Sequence, residues 1–131
     1  MVAKIQPFLM FQGDAGGAIA FYQSVFADVQ VLQLEHYDAS QPGPEGGVRR
    51  AEIVIAGQTL SLFDSPTSHG FSFTPSISLF VVCESEAEIE RLAGALGEGG
   101  QALMPLGSYG FSRKFAWISD RFGVSWQLNL A

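Results

Sequence analysis

At 131 residues, with 47% apolar and 15% charged side chains, the chain is long enough for a packed core and too apolar for disorder. Seven basic residues within a net charge of −6 leave no patch able to displace counterions from nucleic acid or to hold an anionic membrane. A lone cysteine, Cys83, excludes an intrachain disulfide and suits a cytoplasmic setting, and neither a signal peptide nor a bilayer-length apolar run is legible.

The predicted elements follow in order. Ile5–Phe11 is an apolar strand ending at Gly13. Asp14 is placed to cap a helix in which Ala18, Phe21, Tyr22, Val25 and Phe26 share one face. Gly16 and Gly17 weaken its first turn by about 1 kcal/mol each relative to alanine. Val29–Tyr37 alternates as a strand, and residues 38–47, with two Pro and three Gly, form a loop. Val48–Ala56 and Gln58–Phe63 read as a hairpin turning at Ala56-Gly57. Residues 64–75 connect to a second apolar strand, Ser76–Cys83. Ser85, with Glu88 three residues on, opens a capped helix that reaches about Gly97. Gln101–Pro105 is a short strand and 107–110 a loop, followed by a last hairpin, Arg113–Ser119 and Val124–Leu130, around residues 120–123.

The second half repeats the first. Phe8 falls on Leu79, Met10 on Val81, Asp14 on Ser85 and Phe21 on Leu92, each 71 residues on, and residues 49–63 echo 113–128. Helices in two of ten segments, one opening each half, predict an α+β fold. It would consist of tandem βαβββ modules, about 4–66 and about 75–131, forming a cupped, mostly antiparallel sheet with a cavity between modules inside one domain, 1–131.

The segments PFLMFQGDAGGAIAFYQSVF, QPGPEGGVRRAEIVIAGQTLSLFD, SISLFVVC and DRFGVSWQLNL together resemble the vicinal oxygen chelate superfamily of glyoxalase, bleomycin-resistance and extradiol dioxygenase proteins. More narrowly they resemble its PhnB-like branch, which often carries the description 3-demethylubiquinone-9 3-methyltransferase. The resemblance implies a divalent metal (Zn, Ni, Fe or Mn) held by the first and last strand of each module. Counting by the family's spacing places those four ligands at Pro7, Ser61, Ser78 and Gln127, and the histidine common before the third strand's Ala-Glu is here Arg50. Proline has no donor, serine hydroxyls are poor ligands and one amide cannot hold an ion alone. The expectation is therefore a site without metal, with Gln6 the one further donor if the count slips by a residue.

Alternation then adds Leu9, Phe11, Phe63, Phe80 and Asn129 to the same face, with Arg50 and Glu52 as a charged pair that is either on it or solvated. The expected lining is Pro7, Leu9, Phe11, Arg50, Glu52, Ser61, Phe63, Ser78, Phe80, Gln127 and Asn129, suited to a small apolar or aromatic ligand; otherwise these Phe side chains are simply core. Glu52 is the one candidate general base. Arg113 and Lys114 would make the matching face of module two basic unless they are surface residues. Cys83 precedes a helix N-terminus but has no evident His beside it and reads as a buried, inert thiol. His36 and His69 read as surface residues, Asp64 and Asp120 as turn formers, and Tyr109 as either a loop anchor or a cover for a ligand.

Three functions follow: a metal-free ligand-binding protein; a metal-dependent lyase, isomerase or dioxygenase using Glu52 and Gln127; or a dimer without ligand, with Phe71, Phe73 and Trp117 at its contact. Homodimerisation is what the resemblance implies. Methyl transfer is not expected, because residues 13–17 (GDAGG) lack a nucleotide-binding glycine pattern and no alternating β/α chain surrounds them.

Overall fold

The computed structural model describes residues 1–131, which divide into two compact units, Met1–Ser72 and Phe73–Ala131. No helix is long and apolar enough to cross a membrane. The first unit contains β1 (Phe8–Phe11), α1 (Ala15–Val25), β2 (Val29–His36), β3 (Val48–Ile55) and β4 (Gln58–Asp64). The second contains β5 (Leu79–Val82), α2 (Glu86–Gly97), β6 (Gln101–Gly107), β7 (Lys114–Ser119) and β8 (Ser125–Leu130). The order β-α-β-β-β twice is the predicted one, but the strands make two four-stranded sheets, β1-β4-β3-β2 and β5-β8-β7-β6. Both sheets are mixed. β1 runs parallel to β4 and β5 parallel to β8, because the helix carries the chain back before the antiparallel strands are laid down.

In the first unit α1 packs on β3 and β4. Ala18, Ile19, Tyr22 and Val25 of the helix and Ala51, Ile53, Leu60 and Leu62 of the strands are buried. The hairpin between β3 and β4 turns at Ala56-Gly57, both left-handed (φ 50° and 82°), the geometry that matches the twist of its strands.

The start of α1 departs from expectation. Asp14 occupies the cap position but makes no side-chain cap bond. The cap comes instead from Asp64 at the end of β4, fully buried, whose Oδ1 accepts from Gly13 N–H (2.8 Å) and Ala15 N–H (3.0 Å) and whose Oδ2 accepts from Val48 N–H (2.8 Å). A carboxylate there satisfies orphan donors and faces the positive end of the helix dipole, offsetting the two glycines of the first turn. Asp64 is thus a long-range cap as well as a strand end.

In the second unit Ile89, Leu92 and Leu96 of α2 cover β7 and β8, where Ala116, Ile118, Trp126 and Leu128 are buried. The predicted cap holds: Ser85 Oγ accepts from Glu88 N–H (3.2 Å), while the Glu88 carboxylate reaches Glu84 N–H (3.0 Å), one residue earlier than the usual reciprocal partner. The β7–β8 loop is built on Asp120, which is buried. Its Oδ1 accepts from Phe122 N–H (2.8 Å) and Val124 N–H (3.1 Å), and its Oδ2 accepts from the Trp126 indole (2.9 Å). Strand β6 runs two residues further than predicted. Pro105 is tolerated there because β6 is an edge strand whose register shifts between Met104 and Gly107.

Candidate functional site

Each sheet has one face under its helix and one face left open, and the strand register fixes which side chains stand on the open face. In the first unit Phe8 lies opposite Ser61, Ser61 opposite Glu52 and Glu52 opposite Gln33. Met10 lies opposite Phe63 one step along. Phe8 is 68% exposed, and its ring tilts against Phe63 at 5.0 Å. Gln6 reaches into this row just before β1: its Nε2 donates to Glu52 Oε2 (3.0 Å) and Ser61 Oγ (2.7 Å). Lys4 Nζ approaches the same carboxylate oxygen at 3.9 Å.

Three expected members of this face are elsewhere. Leu9 pairs with Leu62, and Phe11, buried, pairs with Asp64, so both belong to the helix side. Pro7 contributes its carbonyl oxygen, which accepts from Ser61 N–H (3.0 Å) and extends the β1–β4 ladder by a residue. The slip has a local cause. From the open-face polar residue to the helix cap is eight residues in the first unit (Gln6 to Asp14) and seven in the second (Ser78 to Ser85). The extra residue is taken up around Gly13, whose φ of 124° suits glycine. A count carried from the helix therefore lands one place late, and shifting a strand by one exchanges its faces. Arg50 is exposed and takes the solvated alternative, while Glu52 stands in the row with Gln6 and Lys4 as its partners.

The second unit follows the predicted register. Phe80 lies opposite Gln127 and Gln127 opposite Trp117; Val82 lies opposite Asn129 and Asn129 opposite Phe115. Gln127 Nε2 donates to Ser78 Oγ (3.0 Å), repeating the Gln6–Ser61 bond with donor and acceptor strands exchanged. Phe80 is 57% exposed. Trp117 is fixed by its indole N–H, which donates to Ser125 Oγ (2.9 Å). Arg113 and Lys114 take the surface alternative: Lys114 pairs with Glu90 (2.6 Å) and Glu86 (4.0 Å) of α2, on the helix side, while Arg113 donates to the Ala131 carbonyl. The open face of this unit is not made basic by them.

The remaining candidates sort by their contacts. His36 is exposed at the end of β2. His69 is half-buried, stacked on Phe71 at 4.9 Å with Nε2 3.1 Å from Ser65 Oγ, and so is a packed loop residue more than a surface one. Cys83 is buried, and burial pushes its thiol up, with the Glu88 charge acting in the same sense. The native thiol should therefore react with Ellman's reagent at pH 8 roughly 100-fold more slowly than in the urea-unfolded chain. Its rate should rise only above the ordinary thiol range. Comparable rates for the folded and unfolded chain at pH 8 would show an accessible thiolate.

The donor set can be tested for a metal. The positions reached by the strand geometry carry two amides and two hydroxyls, with Glu52 the one carboxylate, and its Oε2 is already bonded to Gln6. No group of three or more His, Cys, Asp or Glu comes together anywhere in the chain that could hold an ion. Neutral amide and hydroxyl oxygens do not fit a transition metal that prefers imidazole, thiolate or carboxylate.

Two β-α-β-β-β units, each with a mixed sheet and one open face, make the fold of the glyoxalase, bleomycin resistance and dioxygenase superfamily. A solved domain of that description from Frankia matches it with a TM-score of 0.70 at 14% identity, over 100% of this chain and 93% of that one. A family model described as 3-demethylubiquinone-9 3-methyltransferase matches residues 3–129, and the chain belongs to that PhnB-like family. The PhnB protein of Bacillus cereus, which bears the same methyltransferase description, is similar at 48% identity, with a TM-score of 0.94 over 98% of this chain and 99% of that one. Protein YjdN of Escherichia coli is 22% identical over 96% of this chain and 94% of its own length.

Proposed function

We propose that the protein binds a small apolar or aromatic ligand on its open sheet faces without a metal. The observation that carries this reading is the pair of Gln–Ser hydrogen bonds, Gln6 to Ser61 and Gln127 to Ser78, each beside a Phe left exposed in the row. Neutral groups bonded to one another at these positions suit an uncharged ligand, and exposed aromatic rings supply the apolar contact. Glu52 has one oxygen fixed by Gln6, leaving the other to accept a proton or a hydrogen bond from the ligand. Methyl transfer is not carried over from the family's description, because residues 13–17 turn the chain into α1 by way of Asp64 and have no nucleotide-binding glycine pattern. The reading places the protein in the cytoplasm as a homodimer, with neither nucleic acid nor membrane as partner, in keeping with its net charge of −6 and single thiol.

Metal analysis on protein purified without chelator, joined to thermal-shift screening with aromatic and lipophilic compounds, tests it. The expected result is less than about 0.1 equivalent of transition metal, with stabilisation by some of the compounds. Phe80→Ala should abolish that stabilisation while changing the ligand-free stability by no more than about 0.5 kcal/mol, as befits an exposed side chain. A stoichiometric metal lost on Glu52→Ala or Gln127→Ala would replace this reading with metal-dependent lyase, isomerase or dioxygenase chemistry. An unresponsive protein would reduce these faces to interaction surfaces.

A further inference from the structure

At the β6–β7 connection the second unit carries an aromatic cluster that runs from the buried Phe115 of β7 out to exposed rings on the loop. The rings of Tyr109 and Phe111 lie nearly parallel, 16° apart with centroids at 6.2 Å, and Phe115 meets Phe111 edge-on at 75° and 4.9 Å. Gly110, with φ 95°, supplies the left-handed turn between the two stacked residues. The Tyr109 hydroxyl donates to the Pro105 carbonyl and ties the loop to the edge strand. Phe111 is nonetheless 63% exposed and Tyr109 42%. The cluster is ordered by its own contacts and still presents ring surface to solvent.

Its position is informative. Phe115 stands directly opposite Asn129, which stands opposite Val82, so the cluster borders the open face one step from the Phe80–Gln127–Trp117 row. Asn129 is half-buried, and its backbone oxygen accepts from Cys83 N–H, while its side-chain amide bonds to no other group of the chain. In the same loop the Ser112 hydroxyl oxygen is buried without a hydrogen-bond partner. Flat ring surface beside an unoccupied amide on the same face is what a planar aromatic ring with a polar substituent would use: stacking on the rings and a hydrogen bond at its edge.

We infer that Tyr109, Phe111, Phe115 and Asn129 form a subsite for a planar aromatic ring bearing a hydroxyl or carbonyl group, and that this subsite selects aromatic over saturated ligands of the same size. The inference rests on the ligand-binding reading above and narrows its ligand class. Phe111 supplies the stacking face, Tyr109 and Phe115 hold its ring, and Asn129 orients the substituent.

The test uses the full chain with 2-naphthol and its saturated counterpart decahydro-2-naphthol as probes, titrated by calorimetry. The wild type should bind 2-naphthol about tenfold more tightly than the saturated alcohol, a margin in keeping with one added ring pair. Phe111→Leu keeps an apolar side chain but no ring, and should bring the two probes to within about twofold of each other with the melting temperature unchanged. Phe80→Ala should weaken both probes together. Equal binding of the two by the wild type, or a preference that survives in Phe111→Leu, overturns the subsite. If neither probe binds the wild type, the ligand-binding reading falls with it. A Phe111→Leu chain whose sedimentation changes while the preference persists would assign the cluster to a contact between copies and likewise overturn the subsite.

Discussion

Asp64→Ala is expected to lower the unfolding midpoint by on the order of 10–20 °C, an effect as large as that of emptying a core position. The carboxylate is fully buried and accepts three backbone N–H bonds from two distant stretches of chain, Gly13 and Ala15 at the start of α1 and Val48 at the start of β3. Alanine leaves all three donors without it. Each buried donor left unsatisfied costs about 1–3 kcal/mol, and the bonds to Ala15 and Val48 are buried, so a total of roughly 3–5 kcal/mol follows. The loss also removes the negative charge from the helix N-terminus, where α1 has no acidic residue in its first turn.

Two further variants separate this account from a general cost of disturbing the core. Asp64→Asn keeps an oxygen for Gly13 and Ala15 but turns an NH2 group toward Val48 N–H, and should cost about half as much. Asp14→Ala, which at an ordinary cap would cost about 1 kcal/mol, should change stability by less than about 0.5 kcal/mol, because Asp14 makes no side-chain cap bond. Chemical denaturation monitored by circular dichroism reads all three. An Asp64→Ala midpoint within about 3 °C of wild type, or an Asp14→Ala loss as large as that of Asp64→Ala, would show that the cap is misassigned.

These expectations show where the sequence could be read and where it could not. Local chemistry was legible: the Ala56-Gly57 turn, the Ser85 cap and the order of elements all rest on residues a few places apart, and each is found as expected. The face assignment succeeded for Ser78, Phe80, Gln127 and Asn129, because the second unit keeps the spacing that was counted. It failed for Pro7, Leu9 and Phe11 because one extra residue near Gly13 shifts β1 relative to its helix, and a period of two turns that shift into the opposite face. Gln6, the residue that does stand in the row, is legible only once that insertion is allowed for. The role of Asp64 was hidden for a different reason. Its partners lie 16 to 51 residues away, and nothing in a DSP turn sequence announces them. The same distance hid the helix-side placement of Lys114, which is set by Glu86 and Glu90 on α2.

Asp120→Ala should be comparably damaging in the second unit, by about 3–5 kcal/mol, and here the contributions can be apportioned. One carboxylate oxygen organises the β7–β8 loop by accepting from Phe122 and Val124 N–H, while the other accepts from the buried indole of Trp126. The loop needs this support because it has five residues and depends on Gly123 at φ 90° to close through Gly123 N–H to the Asp120 carbonyl. The two-residue turn of the first unit needs no such carboxylate, which is why Asp120 has no counterpart there. Trp126→Phe removes the indole donor and keeps most of the apolar contact with Ile118 and Leu79, its partners across the sheet. A double-mutant cycle over Asp120→Ala and Trp126→Phe should return a coupling of about 1.5–3 kcal/mol, the range for a hydrogen bond to a charged group. The remainder of the Asp120→Ala loss should persist in the Trp126→Phe background, because it belongs to the loop N–H groups. A coupling below about 0.5 kcal/mol would mean that the indole bond adds nothing beyond burial and that the loop donors account for the whole effect.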